Sequence, residues 1–250
     1  MCGIVGYTGR REAAPLLVEG LRRLEYRGYD SAGLTVQNGR GLVTHKLAGR
    51  VEGLGRQVAD LPIHGTSGIA HTRWATHGAP NEVNEHPHLD CTGAIAVVHN
   101  GIIENADLLR TTLEAAGHAF QSDTDTETLA HLIEATEGDL LETRVLAALA
   151  LVEGTYGLAV MWAREPGKLV AARHGSPLLV GVGEGEYFVA SDASAVLEHT
   201  RNVVYLDDGD LAVISADGYR VIDRQARAQQ RPVNALDWAP QDHALGSHPH

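Results

Sequence analysis

Cysteine, long apolar runs and basic patches are all scarce in this chain, and each shortage removes a class of function. Two cysteines, Cys2 and Cys91, occur in 250 residues, too few for a disulfide framework or for a zinc motif built from cysteine pairs. No stretch approaches the roughly 20 apolar residues of a transmembrane helix. The start, Met1-Cys2-Gly3-Ile4-Val5-Gly6, lacks the charged and long apolar regions of a signal peptide and the Met-Gly start of a myristoylation site. Lys and Arg number 20 against 32 Asp and Glu, a formal charge of −12. They are scattered, without a basic run or an interleaved aromatic stripe, so neither nucleic acid nor a membrane is expected as a partner. The expectation is a cytoplasmic protein.

What is present is the composition of an ordinary globular protein, with 44% hydrophobic residues, 28 Gly and 9 Pro. Apolar residues alternate in short runs at residues 4–7, 33–36, 42–47 and 67–72, and a near-continuous run at 94–100 suits a strand covered on both faces. Residues 11–24 place Leu17, Leu21 and Leu24 on one helical face, and a short helix is expected at 51–60. Helices are predicted at 106–116, 125–137 and 140–151. Strands then follow at 157–162, 168–173, 178–182, 187–190, 203–206, 210–214 and 219–222, with a short helix at 193–197. Turn-rich links such as Gly183-Glu184-Gly185 and Ala216-Asp217-Gly218 favour antiparallel hairpins. The pattern predicts an α+β fold of packed antiparallel sheets covered by helices. The strand pattern stops at Pro232, which sets a domain at residues 1–232 and a tail at 233–250.

Four clusters are more polar or glycine-rich than their flanking strands require. Cys2 leads straight into a strand. With Met1 removed, which is the expected processing before a small residue, one residue carries both a thiol and a free α-amine. That amine has a reference pKa of about 7.7–8.0, so nucleophile and base can share a residue. Gly3 is expected to let substrate approach the backbone closely. Arg73-Trp74-Ala75-Thr76-His77-Gly78 offers a guanidinium for a carboxylate, with a hydroxyl and an imidazole beside it; taken alone, it is also what a solvated loop looks like. His99-Asn100-Gly101 offers an amide and a backbone N–H for an oxyanion, although Asn-Gly also makes ordinary turns. Asp123-Thr124-Asp125-Thr126-Glu127 has capping-box spacing from Thr124, and a carboxylate spared from capping could hold an ammonium. Together the four clusters suit an α-amino acid attacked at its side-chain carbonyl, such as glutamine.

These residues, with Tyr26-Arg27-Gly28-Tyr29-Asp30-Ser31-Ala32-Gly33, His86-Pro87-His88 and Ile102-Ile103-Glu104-Asn105, resemble one family over residues 1 to about 240. It is the glutaminase domain of glutamine:fructose-6-phosphate amidotransferases, among the N-terminal-nucleophile class II amidotransferases. The resemblance implies a four-layer αββα sandwich, two antiparallel sheets flanked by helices, with no cofactor. It implies Cys2 as nucleophile with its α-amine as base, and Asn100 and Gly101 as the oxyanion hole. Arg73, supported by Thr76 and His77, would hold the glutamine carboxylate, and Asp125 the ammonium. Arg27 would help to position Cys2, Trp74 would gate the path of ammonia, and His86 would order the loop beneath the site. Family members continue into a sugar isomerase part that accepts the ammonia. This sequence stops near the start of the linker to it.

Other features are expected to be inert. His86-Pro87-His88 and His248-Pro249-His250 look like ligand pairs, but no carboxylate or cysteine joins them at a helical zinc spacing, so no metal is expected. Cys91 is expected to be a buried, inert thiol before a strand. Gly181-Val182-Gly183-Glu184-Gly185 lacks the Lys-Ser/Thr and helix of a phosphate loop and should be a hairpin turn. Two alternatives to a glutaminase remain at this level: a glutamine-sensing module that has lost turnover, and the glutaminase part of another class II amidotransferase.

Overall fold

A computed structural model describes residues 2–74 and 82–237. Fifteen strands alternate unevenly with five helices among them. In chain order the first half comprises β1 (Gly3–Thr8), α1 (Ala13–Leu24), β2 (Ser31–Asn38), β3 (Gly41–Ala48), α2 (Val51–Asp60), β4 (Ser67–Arg73), β5 (His88–Leu89) and β6 (Ile95–Ile103). Three helices follow: α3 (Ala106–Ala115), α4 (Asp125–Ala135) and α5 (Leu141–Leu149). The remaining strands are β7 (Gly154–Trp162), β8 (Leu169–His174), β9 (Leu179–Val182), β10 (Tyr187–Ala190), β11 (Asn202–Tyr205), β12 (Leu211–Ser215), β13 (Gly218–Ile222), β14 (Ala228–Gln229) and β15 (Asn234–Ala235).

Two antiparallel sheets result. One runs β15-β11-β9-β10-β1-β4-β2-β3, the other β14-β13-β12-β8-β7-β6-β5. The two-residue period of a strand explains the layering. On β1, Ile4 enters the core shared by the sheets, while Val5 and Tyr7 face the layer of α1 and α2. On β6, Ala96 and Val98 face the other sheet, while Ile95 and Val97 face α4 and α5. The inner layer is completed by Ile69, Ala159, Met161 and Val180. Four layers, αββα, follow directly. The Leu17, Leu21 and Leu24 face of α1 is fully buried, worth about 1.5–3 kcal/mol for each side chain.

One local expectation changes. Asn234–Ala235 pairs antiparallel with β11 and Leu236 packs on the outer core, so the sheet runs past residue 232. A two-residue edge strand after proline carries too little alternation to be read from sequence. A Cβ on Gly3 would lie 2.8 Å from Leu24 Cβ, so packing of α1 against β1 requires that glycine. The Gly181–Gly185 segment is a hairpin link, closed by Gly183 N–H donating to Glu186 O at 3.0 Å. Among the described residues, no helix is long and apolar enough to cross a membrane.

Candidate active site

β1 and β4 are neighbours, with Gly3 opposite Thr72 and Ile4 opposite His71. The start of β1 therefore lies beside the end of β4. The end of β6, in the facing sheet, meets this corner from across the inner core, and the N-terminus of α4 covers it. Residues 2, 73, 101 and 125 come from four elements, yet all line one cavity of about 40 Å³ with Trp74, His86, His99, Thr124 and Thr126. That volume holds about one water. A larger cleft of about 240 Å³ shares Thr124 and Asp125 as walls.

Cys2 is partly exposed. The Trp74 N–H donates to its Sγ at 3.4 Å, and the thiol reaches the Trp74 carbonyl at 3.9 Å. Burial pushes the Cys2 thiol up, while the Trp74 N–H and the positive charge of Arg73 pull the other way. Asn100 Nδ2 donates to the Cys2 carbonyl at 3.1 Å. Its Oδ1 accepts from His71 Nε2 at 3.0 Å. His71 Nε2 also faces the His99 carbonyl at 3.1 Å, and both partners are acceptors, so this nitrogen carries the hydrogen. Burial holds the His71 pKa down to about 3, and the ring is a neutral donor that fixes which way the Asn100 amide points.

Gly101 has φ +137, and a Cβ there would lie 2.1 Å from the Thr155 carbonyl. Only glycine fits this strand end in that conformation. Beneath it runs a chain of neutral groups. His99 Nε2 faces the Thr155 carbonyl at 3.3 Å, so it donates and leaves Nδ1 to accept from Thr126 Oγ1 at 3.0 Å. Thr126 Oγ1 must then accept from His86 Nε2 at 2.8 Å. His86 stacks on His71, centroids 4.1 Å apart, and meets His88 edge-on at 4.8 Å. Burial drives the pKa values of His86, His88 and His99 below the ordinary range, so the cluster is uncharged.

Arg73 is buried and lines the cavity. Asp125 opens α4, and its Oδ2 accepts the Ile103 N–H at 2.9 Å. Thr124 caps the helix by accepting from Glu127 N–H at 3.4 Å, an interaction worth about 1 kcal/mol. Glu127 does not close a reciprocal capping box. Its carboxylate accepts the N–H groups of Gln121 at 2.8 Å and Ser122 at 2.6 Å. Burial alone would raise its pKa, but these donors and His131 hold it down to about 2.

Arg27 reaches β1 at one remove. Its Nη1 donates to the Ser191 carbonyl at 3.1 Å, and Ser191 exchanges hydrogen bonds with the Ile4 backbone at 3.0 and 3.1 Å. Trp74 is exposed over Tyr29, edge to face at 5.7 Å. Thr76 and His77 lie outside the described residues, as do His248 and His250. Sequence reasoning missed His71, Thr126 and Ser191. For His71 a signal existed: it lies two residues before Arg73, on the same face of β4.

Cys91 corrects its expectation, because it is exposed. It occupies the turn between β5 and β6, and a turn faces solvent even when the strand after it is covered.

Residues 71–198 match the family model of the glutamine amidotransferase domain. Over 96% of its length the chain is 51% identical to a glutamine–fructose-6-phosphate aminotransferase (isomerizing) of Chlorobaculum tepidum, covering 40% of that protein. It is 49% identical over 100% of its length to the protein of that name from Thermus thermophilus, covering 41% of it. The chain thus spans about two fifths of the curated relatives it matches. Among solved structures, 92% of the chain superposes on half of the glutamine phosphoribosylpyrophosphate amidotransferase of B. subtilis, with a TM-score of 0.79 and 27% identity.

Proposed function

The chain belongs to the glutamine amidotransferase domain family, and from that premise we propose that it hydrolyses L-glutamine to glutamate and ammonia through a γ-glutamyl thioester on Cys2. The observation that carries this reading is the convergence on one cavity of Cys2, Arg73, Gly101 and Asp125, with Asn100 aimed at Cys2. Arg73, with Thr76 and His77, grips the substrate carboxylate, and Asp125 its ammonium. Removal of Met1 frees the Cys2 α-amine, which takes the thiol proton. Burial raises the thiol pKa, so a base beside it has a real task.

The thiolate adds to the γ-carbonyl carbon. Asn100 Nδ2 keeps one hydrogen on the Cys2 carbonyl and has a second for the developing oxyanion, which it shares with the Gly101 N–H. The C–N bond breaks as the α-ammonium returns its proton to the leaving nitrogen, and ammonia departs past Trp74. Water then loses a proton to the amine and opens the thioester, giving glutamate and the free thiol. Arg27 supports β1 through Ser191, and His86 supports Thr126 beneath the cavity. No cofactor enters these steps.

We assign the ammonia to fructose 6-phosphate, giving glucosamine 6-phosphate on a sugar isomerase part, in the cytoplasm. The names of the relatives support this acceptor.

The test is ammonia release from glutamine by wild-type protein and by Cys2→Ala, with mass spectrometry of acid-quenched enzyme for the thioester and for loss of Met1. Wild-type protein that binds glutamine without turnover, or that retains Met1, overturns the proposal in favour of a glutamine-sensing module. Ammonia transfer to another acceptor, with none to fructose 6-phosphate, overturns the sugar assignment alone.

A further inference from the structure

The far end of α4 carries a second cluster that the glutaminase reading does not use. Cys91 Sγ, His118 Nδ1, His131 Nδ1 and a Glu134 carboxylate oxygen lie within 4.8 Å of one another. Three segments supply them. Cys91 sits in the β5–β6 turn, closed by Gly93 N–H to Asp90 O at 3.1 Å. His118 follows α3, its N–H returning to Leu113 O at 3.0 Å. His131 and Glu134 are three apart on α4 and share a face.

We propose that Cys91, His118, His131 and Glu134 bind a zinc-type divalent cation as a structural site. Zinc takes thiolate, imidazole and carboxylate donors at about 2.0–2.3 Å, so a tetrahedral shell has edges of about 3.3 Å between nitrogen or oxygen donors and about 3.5 Å between sulfur and nitrogen. Four of the six edges measure 3.0–3.5 Å, close to these lengths. Cys91 Sγ lies 3.5 Å from His118 Nδ1 and 3.4 Å from His131 Nδ1. Glu134 Oε2 lies 3.0 Å from His118 Nδ1 and 3.3 Å from His131 Nδ1. A thiolate among the donors disfavours magnesium and calcium, and four protein donors complete the shell, as in structural sites.

His131 supplies an independent argument. Its side chain is almost fully buried, yet carboxylates face both ring nitrogens: Glu134 at Nδ1, and Glu127 Oε1 at 3.5 Å from Nε2. A neutral ring donates from one nitrogen only. His131 Nε2 is buried without a hydrogen-bond partner; a cation on Nδ1 would place the ring hydrogen on Nε2, on the side of Glu127, as in the carboxylate–histidine–metal arrangement common around zinc. The Cys91 N–H donates to Glu134 Oε2 at 3.1 Å and orients that carboxylate. Cys91 itself is exposed, which leaves an entry path. The site would tie the 91 turn and the α3–α4 connection to the helix that presents Asp125.

The experiment loads full-length protein with Zn²⁺, removes excess by gel filtration and measures metal by elemental analysis and chelator competition. One zinc per chain is expected in the wild type and in Cys2→Ala. Affinity should fall at least tenfold in Cys91→Ser and His118→Ala, and zinc should raise the wild-type Tm but not theirs. Co²⁺ in wild-type protein should give the visible bands of a tetrahedral ion and a thiolate charge-transfer band, a readout that needs no variant to fold. Zinc that persists in Cys91→Ser and is lost in Cys2→Ala would place the metal at the N-terminus and overturn the proposal. So would no retained zinc and no cobalt bands, leaving His131 as a protonated bridge between two carboxylates.

Discussion

Cys2 and Cys91 are the only thiols in the chain, and their surroundings differ in kind. Around Cys2 the structure arranges donors: the Trp74 N–H on the sulfur and the Asn100 amide on its carbonyl. Around Cys91 it gathers lone pairs, two imidazole nitrogens and a carboxylate, with the Ala119 N–H also on the sulfur. Donors stabilise charge that develops on a reacting group, whereas converging lone pairs repel one another unless a proton or a cation sits between them. One helix serves both places, with Asp125 at its first residue and Glu134 near its last. The two thiols therefore differ in the imidazole and carboxylate groups gathered at Cys91 and absent from the Cys2 sulfur among the described residues.

The sharpest way to break this contrast is to remove each thiol in turn. Cys2→Ala should lower ammonia release by on the order of 10⁴-fold or more, while Cys91→Ser should leave kcat within about twofold. Equal losses in both variants, measured by steady-state ammonia assay, would remove the distinction. Asn100→Ala should cost on the order of a hundredfold in kcat through the missing oxyanion donor. His71→Phe keeps a ring in the stack but removes the hydrogen bond that orients Asn100. A loss of about tenfold in kcat with little change in KM is expected, as for about 1.4 kcal/mol of lost positioning. His71→Gln, whose amide N–H can still donate, should recover part of it; a purely structural role for His71 would show no such rescue.

The smallest effect concerns acid. His71 has its pKa lowered from 6.5 to about 3 in the folded protein. Between those values the unfolded chain binds a proton that the folded chain does not, so stability is lost as pH falls below about 6.5. His86, His88 and His99 shift in the same direction. Thermal melts should show Tm falling from pH 6.5 downward. His71→Phe should flatten the slope by about one proton, or about 1.4 kcal/mol per pH unit. An unchanged slope would mean that His71 titrates normally in the native state.

Elements with a strong period are legible in the sequence alone. The Leu17, Leu21 and Leu24 stripe gave α1, and the apolar run at 94–98 gave a strand covered on both faces, because burial of a face imposes its period on the sequence. The motifs singled out in the sequence each lie within a few adjacent residues, and the structure brings Cys2, Arg73, Gly101 and Asp125 from them to one cavity. The rest was not legible in the sequence. His71 orients Asn100 across two sheets, Gly3 answers to Leu24 on another element, and Ser191 links Arg27 to β1. None of these pairs is local in sequence.

The sequence by itself determined that a thiol beside the N-terminus, an Arg73 loop, an Asn100-Gly101 strand end and an Asp125 helix start belong to a glutamine amidotransferase, because local chemistry and periodicity are written residue by residue. Only the tertiary structure decided that Asn100 is aimed by a neutral buried histidine, and that Cys91, His118, His131 and Glu134 share one point in space. Hydrogen-bond direction and donor convergence depend on distances between elements, and the packing of two sheets and their helices sets those distances.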